Sequence, residues 1–230
     1  MPYANQFDQP VGAPLSGDFP RPLPAQTPMI GSYCTLVPSD PKQAEALFVA
    51  FSTAADGRDW TYLPLEPFAD VAACRDWLTR AAASRDPLYF TVLDAKGRAA
   101  GWASYLRIDP ANGAIEVGWI NFSPVMQRSP AATEAMYLMM ARAFDELGYR
   151  RYEWKCDDLN APSMAAARRL GFTYEGTFRQ ATHYKGRNRD TAWFAILDRD
   201  WPAQKARFQA WLDPANFDAD GRQKRRLQDC

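Results

Sequence analysis

The chain is poor in metal-binding side chains. It has one histidine, His183, and four cysteines, Cys34, Cys74, Cys156 and Cys230, no two of them at CxxC spacing. A zinc centre needs more ligands at closer spacing, so no metal is expected. Charge of one sign is missing too: 27 basic and 27 acidic residues cancel, which argues against a generic electrostatic grip on nucleic acid or an anionic membrane. No charged leader precedes an apolar core, and no apolar run is long enough to span a bilayer. The expectation is a cytoplasmic protein with reduced thiols, with neither nucleic acid nor membrane as a partner.

What is abundant is apolar and aromatic surface. Hydrophobic residues make up 47% of 230, enough for one sizeable core. Seven prolines between Pro2 and Pro28 remove amide donors and fix φ, so residues 1–30 read as an extended arm, either laid across the domain or mobile. Residues 31–200 read as one domain and 201–230 as a helix with a polar, frayed tail.

Within the domain, Tyr33–Val37 reads as a strand. Asp40-Pro41 opens a helix through Phe51, and a second helix is expected over Phe68–Ala82. Leu88–Leu93, Ala99–Ile108 and Ala114–Phe122 are strands joined by short turns, hence an antiparallel meander. A 3.6-residue stripe through Met136, Met140, Ala143, Phe144 and Leu147 predicts a helix over Ala131–Leu147, stopped at Gly148. Then follow a strand Tyr149–Cys156, a helix Asn160–Leu170, a hairpin Phe172–Tyr184 with Arg189–Leu197, and a helix Asp200–Phe217. This order implies an α/β fold: a central mixed, mostly antiparallel sheet with helices on both faces, the Ala131 helix crossing between two parallel strands. Edge strands and the last helix are where a homodimer would form.

The turn from Ser123 to Thr133 joins a strand to the long helix. A helix start offers unpaired amides and partial positive charge, which suits a phosphate, and the small side chains at Ser129, Ala131 and Ala132 allow close approach. An ordinary capped helix is the other reading.

Three ordered elements here resemble the GNAT superfamily of N-acetyltransferases, in the branch of the ribosomal-protein N-terminal acetyltransferases. They are Ile115-Glu116-Val117-Gly118-Trp119-Ile120, then Gln127 to Ala135, then Asn160-Ala161-Pro162-Ser163 with Arg168-Arg169-Leu170-Gly171-Phe172-Thr173-Tyr174-Glu175-Gly176. The resemblance covers roughly residues 31–200. It implies a GNAT-like fold, acetyl-CoA as cosubstrate without a metal, and an acyltransferase acting on a primary amine of a protein N-terminus or a small molecule. The alternative is a GNAT-shaped CoA-binding or regulatory protein without transferase activity. One departure stands out: where the family's loop has its two leading glycines, this chain has Arg128 and Pro130.

The resemblance also distributes roles. Glu116 is either the general base that deprotonates the amine or a solvent-facing strand carboxylate. Ser163 either holds and reprotonates the CoA sulfur or makes a local first-turn bond. Phe122, Gln127, Arg128, Ser129, Ala131, Ala132, Thr133, Asn160 and Ser163 are the expected cosubstrate contacts, Asn160 also serving as a helix cap. Arg168 and Arg169 either reach a CoA phosphate or stay solvated. Trp60, Tyr62 and Tyr184 are expected to wall the acceptor site, with Tyr184 an acid or a packing residue and the Trp60 loop alternatively packed on the domain.

Overall fold

The structure, a computed structural model, describes residues 3–230. The Pro-rich arm contributes a two-stranded hairpin, β1 (Tyr3–Ala4) and β2 (Pro10–Val11), then the short β3 (Met29–Ile30) and β4 (Cys34–Pro38). Asp40 accepts from the Lys42 amide and Gln43 reaches back to Asp40, a reciprocal cap leading into α1 (Ala44–Phe51). The next helix, α2 (Val71–Ala83), starts three residues later than expected. The Asp70 carboxylate caps it at the Ala73 amide, 2.8 Å away, and leaves Phe68 outside, packed on Trp60, Trp77 and Trp102.

The meander forms as predicted from β5 (Leu88–Asp94), β6 (Ala99–Asp109) and β7 (Ala114–Phe122). Then comes α3 (Pro130–Ala141). The expected continuation to Leu147 is instead a π-helical turn, Arg142–Glu146. From that widened turn the buried Arg142 donates to the carbonyls of Thr27 and Pro28, at 2.7 and 2.9 Å, pinning the end of the arm. The chain closes with β8 (Arg151–Asp157), α4 (Ala161–Arg169), β9 (Thr173–Tyr184), β10 (Arg187–Leu197) and α5 (Trp201–Leu212).

Eight strands form one sheet in the order β3-β4-β5-β6-β7-β8-β10-β9, and only β7 and β8 run parallel, with α3 as their crossover. The two-residue alternation of strands separates two cores. Phe90, Tyr105, Ile115 and Val117 face α3 and α5 and meet Met136, Met139, Met140 and Phe208. Tyr89 and Trp102 face α1 and α2 and meet Leu47, Phe51, Trp60, Trp77 and Leu78. The expected mixed sheet with helices on both faces is thus the fold observed.

The tail is a correction. Residues 217–227 are not frayed but folded back on α5. Phe217 pairs with Gln223, the Trp211 indole N–H donates to Gln223 Oε1 at 2.8 Å, and Asn216 bonds both the amide and the carbonyl of Arg225. Leu227 is fully buried in the main core. A polar composition hid one apolar anchor and one asparagine hub.

Glu134, in the second turn of α3, ties arm, sheet edge and helix together. Its carboxylate is buried and accepts from the amides of Ser32, Tyr33 and Cys34 at 2.8, 2.6 and 2.8 Å. Gly31 allows this, because a Cβ there would lie 2.4 Å from the carboxylate. Glu134→Ala strands three amides and is expected to lower unfolding stability by about 3 kcal/mol, read as a lower urea midpoint at unchanged slope.

Candidate active site

The site begins where the parallel pair ends. The β7–β8 ladder runs from Ala114 opposite Arg151 to Val117 opposite Trp154 and stops there. β7 then bulges: two residues, Trp119 and Ile120, stand opposite Ala103, and Trp119 takes a positive φ of 50°. Past Val117 the edge of β7 that faces β8 has no partner strand, while its other edge stays paired to β6. A cavity of about 1110 Å³ opens in this fork and is walled by the α1–α2 loop, the start of α3, α4, the β9–β10 hairpin and the folded tail.

Glu116 lies at the fork. Ile115 and Val117 point into the α3 core, so alternation turns Glu116 into the cavity, where it is 2% exposed and not solvent-facing. Its Oε2 is gripped twice, by Lys155 Nζ at 2.9 Å and Arg107 Nη1 at 2.7 Å. Lys155 also holds Glu153 Oε2 at 2.7 Å and sits 3.7 Å from the centre of the Trp193 ring. Glu116 and Glu153 are register partners on adjacent strands, so two carboxylates would repel there without the buried ammonium between them. Burial opposes ionisation of Glu153, but Lys155 and Arg151 together hold its carboxyl below the usual range.

Lys155, Glu153 and Arg107 were not expected at the site. The alternation Arg151-Tyr152-Glu153-Trp154-Lys155 carries the signal for the first two, once β8 is known to lie beside β7. Nothing in the local sequence announces Arg107.

Further along the fork, past roughly 20 Å of β7 strand, lies the turn into α3. Gln127 donates to the Phe122 carbonyl and to Asp59, both at 2.8 Å, clipping the end of β7 to the α1–α2 loop. Ser129 caps α3: its Oγ donates to the Met126 carbonyl and accepts from the Ala132 amide. The Ser129 amide bonds Met126, Pro130 has none, and Ala132 is taken. Of the four amides a helix start leaves over, that of Ala131 remains. The Ala131 side chain packs toward the core, whereas Ser129, Ala132 and Thr133 line the cavity. Pro130 at the first helical position suits its fixed φ and sacrifices only an orphan donor.

Arg128 explains the missing glycine. Its φ is +59°, the left-handed region that glycine enters freely and arginine enters under strain. At this position the loop thus combines a left-handed backbone with a charge. Arg169, half-buried beside it, donates to Thr133 Oγ1 at 3.1 Å, lies over Trp211 and has its pKa lowered by burial. Arg168 instead lies over the Phe194 ring and does not line the cavity.

On the far wall Asn160 accepts from the Ser163 amide at 3.1 Å, capping α4. Ser163 Oγ accepts from the Trp154 indole at 3.0 Å, which leaves its hydroxyl proton to be donated, with the Cys156 sulfur within hydrogen-bonding reach. Tyr62 and Tyr184 line the cavity, with hydroxyls donating to the Leu159 carbonyl and to the buried Asp157 at 3.0 and 2.8 Å. Burial and that bond push the Tyr184 hydroxyl up to about 12. Trp60, expected in this wall, is instead buried in the second core against Phe51, Phe68 and Trp102. His183 is exposed at the cavity.

Six cationic side chains, Arg107, Arg128, Lys155, Arg169, Arg189 and Arg222, line the cavity against three carboxylates, Asp59, Glu116 and Asp157. That excess, the Ala131 amide and the unpaired β7 edge together fit a long, anionic, amide-bearing cosubstrate. Among the described residues no group of three or more His, Cys, Asp or Glu is placed to hold a metal ion, and no helix is long and apolar enough to cross a membrane.

Comparison with known proteins is consistent with this geometry. The family model of the Acetyltransferase (GNAT) domain matches residues 34–173. The uncharacterized N-acetyltransferase p20 of Bacillus licheniformis is 26% identical over 144 residues, covering 61% of this chain and 80% of the relative. The crystal structure of a GCN5-related N-acetyltransferase from Brucella melitensis superposes with a TM-score of 0.90 at 49% identity, over 93% of this chain and 98% of that one. The microcin C7 self-immunity acetyltransferase MccE, solved with acetyl-CoA and AMP, shares the fold at a TM-score of 0.63 and 21% identity, over 73% of this chain and 93% of its own.

Arg128→Gly tests the loop. Relief of about 1 kcal/mol of backbone strain is expected to raise Tm by about 2 °C, while loss of the charge weakens acetyl-CoA binding about threefold by calorimetry. Unchanged affinity would make Arg128 a mere occupant of a glycine position.

Proposed function

The chain belongs to the GNAT acetyltransferase family, and from that premise we propose that it moves an acetyl group from acetyl-CoA to a primary amine, on a protein N-terminus or a small molecule, by direct attack with Glu116 as general base. One observation carries the reading: a buried carboxylate at the fork of the sheet, inside the cavity, with one oxygen anchored and the other uncommitted.

Bound acetyl-CoA supplies the thioester carbonyl that an amine attacks. Arg128, Ser129, Ala131, Ala132, Thr133 and Arg169 would hold its phosphates, and the free edge of β7 up to Phe122 its amide-bearing arm. The amine reaches the site protonated and must lose that proton before it can attack. Glu116 Oε1 accepts it, directly or through a water, while Lys155 and Arg107 keep Oε2 in place. Ser163, whose oxygen already accepts from Trp154, directs its hydroxyl proton toward the departing sulfur. Tyr184, committed to Asp157, orients the wall of the acceptor site.

The test is release of free thiol from acetyl-CoA over a panel of peptides, amino acids, polyamines and aminoglycosides. Glu116→Gln is expected to lower kcat about 100-fold and to leave acetyl-CoA affinity within about threefold. Tight CoA binding with no thiol release for any amine would favour a binding protein, and wild-type turnover by the Gln variant would remove Glu116 from the chemistry.

A further inference from the structure

Arg107 is held at the acceptor side of the cavity by a strained stretch of backbone. β6 breaks register between Leu106 and Asp109, and Arg107 in that irregularity has a φ of +46°. A non-glycine residue stays there only when the surrounding structure holds it. The Asp86 carboxylate holds it, accepting from the Arg107 amide at 2.8 Å and the Ile108 amide at 3.1 Å. The outcome is a guanidinium with Nη1 on Glu116 Oε2 while 62% of the side chain remains exposed at the cavity.

Lys155, 5% exposed, pairs with the same oxygen but is shared with Glu153, so Arg107 completes the charge balance at Glu116, and does so through Nη1 alone. The remaining donors of Arg107 are open to a ligand. The Asp86 carboxylate is taken up by the Arg107 and Ile108 amides, and the cavity's Asp157 by the Tyr184 hydroxyl and the Leu159 amide. A second cation, Arg189, lines the same cavity with its Nε buried and without a partner.

We propose that Arg107 is a specificity residue for the acceptor, and that the acceptor is an α-amino acid: an amine with a carboxylate on the adjacent carbon. This rests on the reading of Glu116 as the base. An amine at Glu116 Oε1 is one carboxylate width from the atom that Arg107 grips. A carboxylate attached through one carbon therefore falls within reach of the free guanidinium edge, which matches such a group with two parallel N–H donors. Asp86 is a positioning residue for Arg107.

The experiment compares free L-amino acids with their carboxamides as acceptors, by thiol release from acetyl-CoA. Wild type is expected to favour the acids by about tenfold or more in kcat/KM. In Arg107→Gln the ratio of acid to amide falls toward one. Loss of a mere support for Glu116 would instead lower both substrates together and leave the ratio unmoved. Arg107→Lys restores the ratio in part, since the charge returns without the fork of donors. A wild-type preference for amides or for uncharged amines, or a ratio unchanged in Arg107→Gln, overturns the proposal and leaves the acetyl-transfer reading intact. No turnover with any amine overturns that reading itself.

Discussion

Everything at this site depends on one ammonium group placed where two parallel strands separate. β7 and β8 pair for four residues, and that patch sets Glu116 beside Glu153. Two buried or half-buried carboxylates at that distance would force the strands apart or take up a proton. Lys155 bridges them from the first position beyond the ladder, with Arg107 and Arg151 supplying the remaining charge, and stacks on Trp193 of β10, so the contact that bridges the pair also fastens the next strand. The ladder can then end without the sheet falling open. Its termination frees one edge of β7 for a ligand.

The opposite end of the cavity solves a different problem with equally local means. The loop proposed to approach phosphates has a left-handed residue, a position that glycine ordinarily fills. Here Arg128 accepts the strain and brings a charge, Pro130 gives up a donor the helix start would not have paired, and Ser129 consumes two further groups in capping. Amide donors are thereby exchanged for guanidinium groups, Arg128 on the loop and Arg169 from α4. The folded tail finishes this wall: Trp211 beneath Arg169, and Arg222 and Gln223 at the rim, lie beyond the stretch matched by the family.

Rigid and irregular segments divide the work. The α3 start is locked to the sheet edge by Glu134, and the arm is locked to the end of the same helix unit by Arg142. Three of the six non-glycine residues with positive φ among the described residues, Arg107, Trp119 and Arg128, line the cavity, each in a bulge or turn, and Arg107 is held there by Asp86. At those three positions irregular backbone turns a side chain out of the strand's or loop's ordinary direction.

Local patterns in the chain were enough to determine the meander, the crossover helix and the α4 start at Asn160, while alternation left Glu116 either cleft-facing or solvent-facing. Period, caps and alternation are properties of neighbouring residues, and in these segments no distant contact opposes them. Helix ends depended on competing signals, so Asp70 displaced the start of α2 and the tie from Arg142 to the arm accompanied a π-turn near the end of α3. Only the tertiary structure decided that Lys155 and Arg107 converge on one oxygen of Glu116, that Trp60 is core and not wall, and that the polar tail closes the cavity. These outcomes rest on which strand lies beside which, on a bulge in β6, and on one buried leucine at position 227. No spacing within the chain encodes them, because the partners are distant in sequence and meet only when the sheet has formed.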